Sequence, residues 1–151
     1  MDNLWNLTRD VRAQPVARPP GDTVPEVFWS AVARRRNKVW LRQKELGVWR
    51  SWTWNDTALA VRETAMGLAA LGLAPGECAA ILSNTVIEWL VADLAIQSAG
   101  GVTNGIYPTD AASQVQYLCD DSATRVLFVE DEEQLDKALE VREHLPGLHT
   151  I

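Results

Sequence analysis

Three short polar stretches stand where this chain could do chemistry: Ser83-Asn84, Asn104 to Thr109, and Glu130-Asp131. Each follows an apolar run with strand character and precedes a helical pattern. In a parallel α/β sheet such a junction is the carboxyl end of a strand, which is where ligands bind. Hydroxyl, amide and carboxylate groups placed there can hold a ligand through hydrogen bonds. The same residue types are what helix N-termini need as caps, so both readings stay open at each junction.

Other chemistries find less support. A dinucleotide fingerprint needs G-x-G-x-x-G between a strand and a helix, whereas Gly100-Gly101 follows a helical pattern and precedes a strand, as a C-terminal cap would. The sequence holds no G-x-x-x-x-G-K-[ST] loop, no H-E-x-x-H and no G-x-S-x-G elbow. His144 and His149 have no ligand-spaced partner. Asp120-Asp121 and Glu130 to Glu133 read as solvated helix ends and loops, with divalent-ion binding as the alternative. Cys78 and Cys119 lie too far apart for a metal or redox motif; their apolar surroundings suggest buried free thiols in a reducing compartment. No catalytic, cofactor-binding or metal-ligating residue is assigned.

Length and composition bound the answer. The 151 residues, 47% hydrophobic and 23% charged, are enough for one domain with a real core. The net charge of −6 is uneven. Residues 1–62 carry 11 Lys/Arg and 6 Asp/Glu, while residues 63–151 carry 3 and 14. The acidic part argues against a nucleic-acid footprint along the chain. The basic part centres on Arg34-Arg35-Arg36 and Lys38. That cluster reads as a solvated helix C-terminus, with a phosphate or anionic-membrane contact as the alternative. The N-terminus has no apolar signal core, and no apolar run approaches the ~20 residues of a membrane span. The expected setting is the cytoplasm, with any membrane contact peripheral and at the inner face.

The elements that must position the three junctions follow from periodicity. Residues 1–22, with Pro15, Pro19, Pro20 and Gly21, read as a poorly ordered leader. Thr23-Val24-Pro25-Glu26 is a capping box, and Val24, Val27, Phe28, Ala31 and Val32 continue at helical spacing as far as about Asn37. Val39 to Arg42 and Val48 to Trp52 alternate as a hairpin joined by Lys44 to Gly47. Its neighbourhood holds Trp40, Trp49, Trp52 and Trp54, read as cross-strand packing over a helix, with base stacking the alternative. Thr53 to Asp56 caps a helix ending at Gly72, and Cys78 to Leu82 is a strand buried on both faces. Ser83-Asn84 caps the next helix, and Val102 to Ile106 is the next strand. Thr109 or Asp110 caps a helix before the strand Arg125 to Val129. Glu132 to His144 is the last helix, and Leu148 to Ile151 begins a further apolar strand. The expected fold is α/β: an N-terminal helix and β-hairpin, then an incomplete doubly wound parallel sheet with helices on both faces.

Several segments, taken in order, resemble the N-terminal part of AMP-forming acyl-CoA synthetases of the long-chain fatty-acid type. They are Thr23 to Trp40, Lys44 to Trp54, Gly67 to Glu77, Leu82-Ser83-Asn84 with Glu88-Trp89, Gly101 to Thr109, and Ser122 to Glu130. The resemblance covers residues 23–151. It implies the N-terminal portion of an adenylate-forming synthetase domain, truncated here. The complete enzyme would use ATP, Mg²⁺ and CoA to convert a fatty acid to an acyl-adenylate and then a thioester. The family's phosphate loop and catalytic lysine have no counterpart in these residues. The resemblance therefore transfers no site residue, and the fragment alone is expected to be inactive and to need no cofactor. Its partners would be the fatty acid of the complete enzyme and the remainder of a split synthetase. The alternative is a non-catalytic module that docks a partner through an open sheet edge.

Overall fold

The computed structural model describes residues 20–151. The expected leader lies outside them except for Pro20 to Asp22. The capping box at Thr23 starts helix α1, Val24–Arg35, with the Glu26 carboxylate accepting the Thr23 N–H. Strands β1, Val39–Glu45, and β2, Val48–Thr53, form the expected antiparallel hairpin. Its turn is tighter than the sequence suggested. Glu45 pairs with Val48, so only Leu46 and Gly47 connect the strands.

Thr53 closes β2 and caps helix α2, Trp54–Ala70, its hydroxyl accepting the Asp56 N–H at 3.2 Å. The Asp56 carboxylate returns the bond to Thr53, and the Thr53 hydroxyl on it holds its pKa below the ordinary carboxylate value. The sheet then alternates with helices: β3, Cys78–Leu82; α3, Ile87–Ser98; β4, Val102–Ile106; α4, Ala112–Asp121; β5, Val126–Val129; and α5, Glu132–Val141. A 3₁₀ turn at Arg142–His144 finishes the region expected to be one helix. Gly100 ends α3 at φ 86°, a left-handed position that a Cβ would strain. The Gly101 N–H then reaches Ile96 O at 2.9 Å, the capping bond anticipated from the sequence.

The sheet is parallel, in the order β4-β3-β5. A parallel bridge from Val126 to Thr150 starts a fourth position beside β5. All five residues of β3 are buried, and their alternation divides the interior in two. Ala79 and Ile81 join the core against α1, α2 and α3, while Ala80 and Leu82 join the core against α4 and α5. Both faces are thus covered, as expected of a doubly wound sheet. The tryptophans do not form one stripe. Trp40 stacks on Trp54 at 4.0 Å and 9°, with Phe28 beside both, while Trp52 pairs with Leu41 and Trp49 stays outside. Arg35 is more than a solvated helix end, since its guanidinium lies 5.5 Å over the Trp54 ring.

The amino edge of the sheet is tied by charge. The Ala74 N–H and the Arg125 guanidinium, 3.1 Å away, hold the Glu77 carboxyl below its ordinary range. Cys78 and Cys119 are free and buried. Burial pushes the Cys119 thiol from its ordinary 9.0 up to about 11.

Leu82→Ala should cost about 2–5 kcal/mol, read from urea unfolding, because Leu82 is wholly buried under α4 and α5. The cysteine gives a pH test. Between pH 9.0 and about 11 the unfolded chain has lost a thiol proton that the native chain keeps. Stability should fall as pH rises through that window. Urea midpoints of the wild type should therefore drop more steeply there than those of Cys119→Ala.

Candidate functional site

The strand order decides where a ligand can sit. From β3 the chain passes through α3 to β4 on one side, then returns through α4 to β5 on the other. Connections that leave neighbouring strands in opposite directions open a crevice at the strands' carboxyl ends. Here that crevice lies between the ends of β3 and β5, at Ser83 and Glu130.

A single carboxylate bridges it. Glu130 Oε2 accepts the Asn84 backbone N–H at 2.6 Å and Asn84 Nδ2 at 3.0 Å. The Ser83 hydroxyl lies 3.2 Å from the same oxygen and 2.8 Å from Asn84 O. In return the Glu130 N–H donates to Leu82 O at 3.2 Å. The first and third junctions thus form one unit. Ser83 and Asn84 do not cap α3, as the sequence suggested. Its N-cap is Val86, and the orphan N–H of Ile87 donates to Gln43 Oε1, 3.2 Å away on β1.

Above this bridge is a cleft of about 430 Å³ lined by Gln43, Ile81, Trp89, Ala92, Phe128 and Glu88 along with Ser83 and Glu130 of the bridge. A second cleft of about 300 Å³ continues over the β4 end past Gly105, Tyr107 and Pro108, sharing Ser83 and Trp89 with the first. Gln43, Trp89 and Phe128 were not singled out as site residues. Gln43 carried a faint signal, being a polar residue on the same alternating face as Leu41.

The second junction is split by its own geometry. Asn104 turns under α4, with Nδ2 on Leu118 O and Ser122 Oγ at 3.2 and 3.1 Å, so it supports structure instead of facing the cleft. Thr109 and Asp110 do not cap α4. The N-cap is Ala111, whose N–H is accepted by Gln114 Oε1 at 2.9 Å. Asp131 does cap α5, accepting the Gln134 N–H at 3.0 Å.

The residues around the first cleft do not fit a nucleotide triphosphate. Glu88 and Glu130 line it, and no lysine or arginine does. Lys137 reaches this edge, but its ammonium is held by Pro108 O at 2.6 Å and by Gln134 and Glu133. Ser83 has no imidazole partner to take its proton. His149 lies at the opposite, amino edge, where its N–H meets Arg125 O. Among the described residues no group of three or more His, Cys, Asp or Glu is placed to hold a metal ion. The cleft has the shape and lining for an uncharged, partly apolar body between Trp89 and Phe128, and none of its lining residues is cationic.

Glu130→Ala should free the Asn84 loop, speeding exchange of the Asn84 amide with solvent and costing about 1 kcal/mol. Glu130→Gln keeps an acceptor oxygen and should retain most of the protection. Unchanged Asn84 exchange in Glu130→Ala would show that the bridge does not hold the loop.

Comparison with known proteins places this architecture. The family described as AMP-binding enzyme matches residues 28–151. The long-chain-fatty-acid–CoA ligase ACSBG2 of Xenopus laevis is 30% identical over 154 aligned residues, covering 98% of this chain and 21% of that protein. The long-chain-fatty-acid–CoA ligase FadD15 of Mycobacterium bovis is 36% identical over 105 residues, covering 70% and 18%. Among solved structures, the anthranilate CoA ligase AuaEII in complex with anthranoyl-AMP superposes with a TM-score of 0.77 at 25% identity, over 84% of this chain and 24% of that one. The acetoacetyl-CoA synthetase from Streptomyces lividans gives 0.74 at 26%, over 82% and 21%. The chain spans about a fifth of the length of the curated relatives it matches. With the family match running through every element from α1 to the bridge at Thr150, this chain belongs to the AMP-binding enzymes.

Proposed function

We propose that these residues form the N-terminal portion of a long-chain fatty-acid–CoA ligase and supply a wall of its substrate region without its phosphate chemistry. The observation that carries this reading is the cleft at the β3/β5 crevice, partly apolar between Trp89 and Phe128, with Glu88 and Glu130 in its lining and no lysine or arginine. The overall reaction is two displacements. The fatty-acid carboxylate attacks ATP and releases pyrophosphate, and the CoA thiol then attacks the acyl-adenylate and releases AMP. Both steps develop negative charge on phosphate, which needs Mg²⁺ and cationic donors. On this reading ATP, Mg²⁺ and CoA are used by the complete ligase and are not held by these residues.

A second reading is favoured by the β4 edge. β4 pairs only with β3 among the described residues, and Val102 stays 54% exposed. An open strand edge can accept another strand, so these residues would dock a partner, the remainder of a split synthetase. Among the described residues no helix is long and apolar enough to cross a membrane.

Fatty-acid-dependent exchange of radiolabelled pyrophosphate into ATP separates these from a self-sufficient enzyme. The purified 151-residue chain should show none. Exchange by the chain alone would overturn the proposal. Exchange that appears on adding a separate polypeptide carrying the rest of a ligase would support the docking reading, and a monomer with no affinity for that polypeptide would remove it.

A further inference from the structure

The hairpin turn holds a residue that its own backbone does not favour. Leu46 and Gly47 are the only two residues between paired Glu45 and Val48, and both have positive φ, 47° and 86°. A two-residue turn of that kind prefers Asn-Gly or Asp-Gly. A leucine with φ in the left-handed region carries a steric cost that asparagine largely avoids. Leu46 gains no burial among the described residues in exchange, because it is 105% exposed. A large apolar side chain that is strained locally and buried nowhere is explained best by something outside the described chain.

The strand register shows what accompanies it. Arg42 pairs with Ser51 and Lys44 with Trp49, so these four residues share the outer face of the hairpin. Trp49 is 63% exposed there, and neither Arg42 nor Lys44 has an ion pair among the described residues. The inner face carries the compensated charge, where Arg50 meets Glu45 at 2.7 Å. Residues 34–53 hold seven Lys/Arg against the single carboxylate of Glu45, in a chain whose net charge is −6. The cationic region is therefore local, and it surrounds an apolar tip.

We propose that the hairpin tip is a peripheral attachment site for an anionic lipid bilayer. Leu46 enters the interface, Trp49 lies at headgroup level, and Arg42 and Lys44 meet the lipid phosphates. Tryptophan prefers that depth, and weak apolar insertion gives stable attachment when basic residues add electrostatic attraction. The charge asymmetry favours this occupant over an apolar protein groove, which would leave Arg42 and Lys44 unpaired. The basic side of this surface adjoins the cleft, since Arg42 and Lys44 line a hollow that shares Gln43, Val86 and Trp89 with it; the apolar tip at Leu46 lines neither.

Flotation with phosphatidylcholine vesicles, with and without phosphatidylserine, tests this on the full chain. The wild type should float with the anionic vesicles, much less with neutral ones, and release as salt rises. Leu46→Asn should keep or raise the melting temperature, since it suits the turn, while lowering anionic-vesicle affinity on the order of tenfold. The double variant Arg42→Glu/Lys44→Glu should lower it more than about tenfold. The proposal is overturned if the wild type does not float, if it floats equally with neutral vesicles, or if a folded Leu46→Asn binds like the wild type. It is also overturned, in favour of a second copy, if sedimentation shows a dimer that Leu46→Asn dissociates and vesicles do not bind.

Discussion

Strand β3 is the constraint on which the rest of this structure depends. A strand with all five positions buried has no solvent face, so both of its sides must be covered. Its alternation then assigns Ala79 and Ile81 to one core and Ala80 and Leu82 to the other. The placement of α3 on one face and α4 on the other follows, as does the crevice at the strand ends. The ligand-sized space at Ser83 and Glu130 is a consequence of burying Cys78 to Leu82 from both sides.

Charge separates two working regions on this frame. The carboxyl edge of the sheet is rimmed by carboxylates, and its one engaged lysine is spent on Pro108 O. The hairpin carries the cations. One region suits an uncharged body held between aromatic walls, and the other suits an anionic surface. No lysine or arginine lines the cleft, and the chain spans about a fifth of the ligases it matches.

Much of this was legible in the residues. The capping boxes at Thr23 and Thr53, the buried run Cys78 to Leu82 and the helix end at Gly100 all use local signals that tertiary contacts left unchanged. The failures have two causes. Thr109 and Asp110 lost the cap of α4 to a local competitor, the Ala111 N–H on Gln114, whereas at Ser83-Asn84 the competing partners were distant in sequence. Asn84 found Glu130 across the sheet, and the α3 terminus found Gln43 on the hairpin. Such contacts depend on how β1 and α3 pack together, which no spacing within either segment encodes. The hairpin turn was placed too broadly because Leu46 is a poor turn residue by type, and only the pairing of Glu45 with Val48 reveals it.

The central claim is that the β3/β5 cleft takes no nucleotide phosphate. The most direct measurement is nuclear magnetic resonance of the Asn84 amide and the Trp89 indole during titration with Mg²⁺–ATP. The account predicts that neither signal moves in a saturable way, because Glu88 and Glu130 repel the triphosphate. Saturable shifts at both signals would contradict it and place a nucleotide site within these residues.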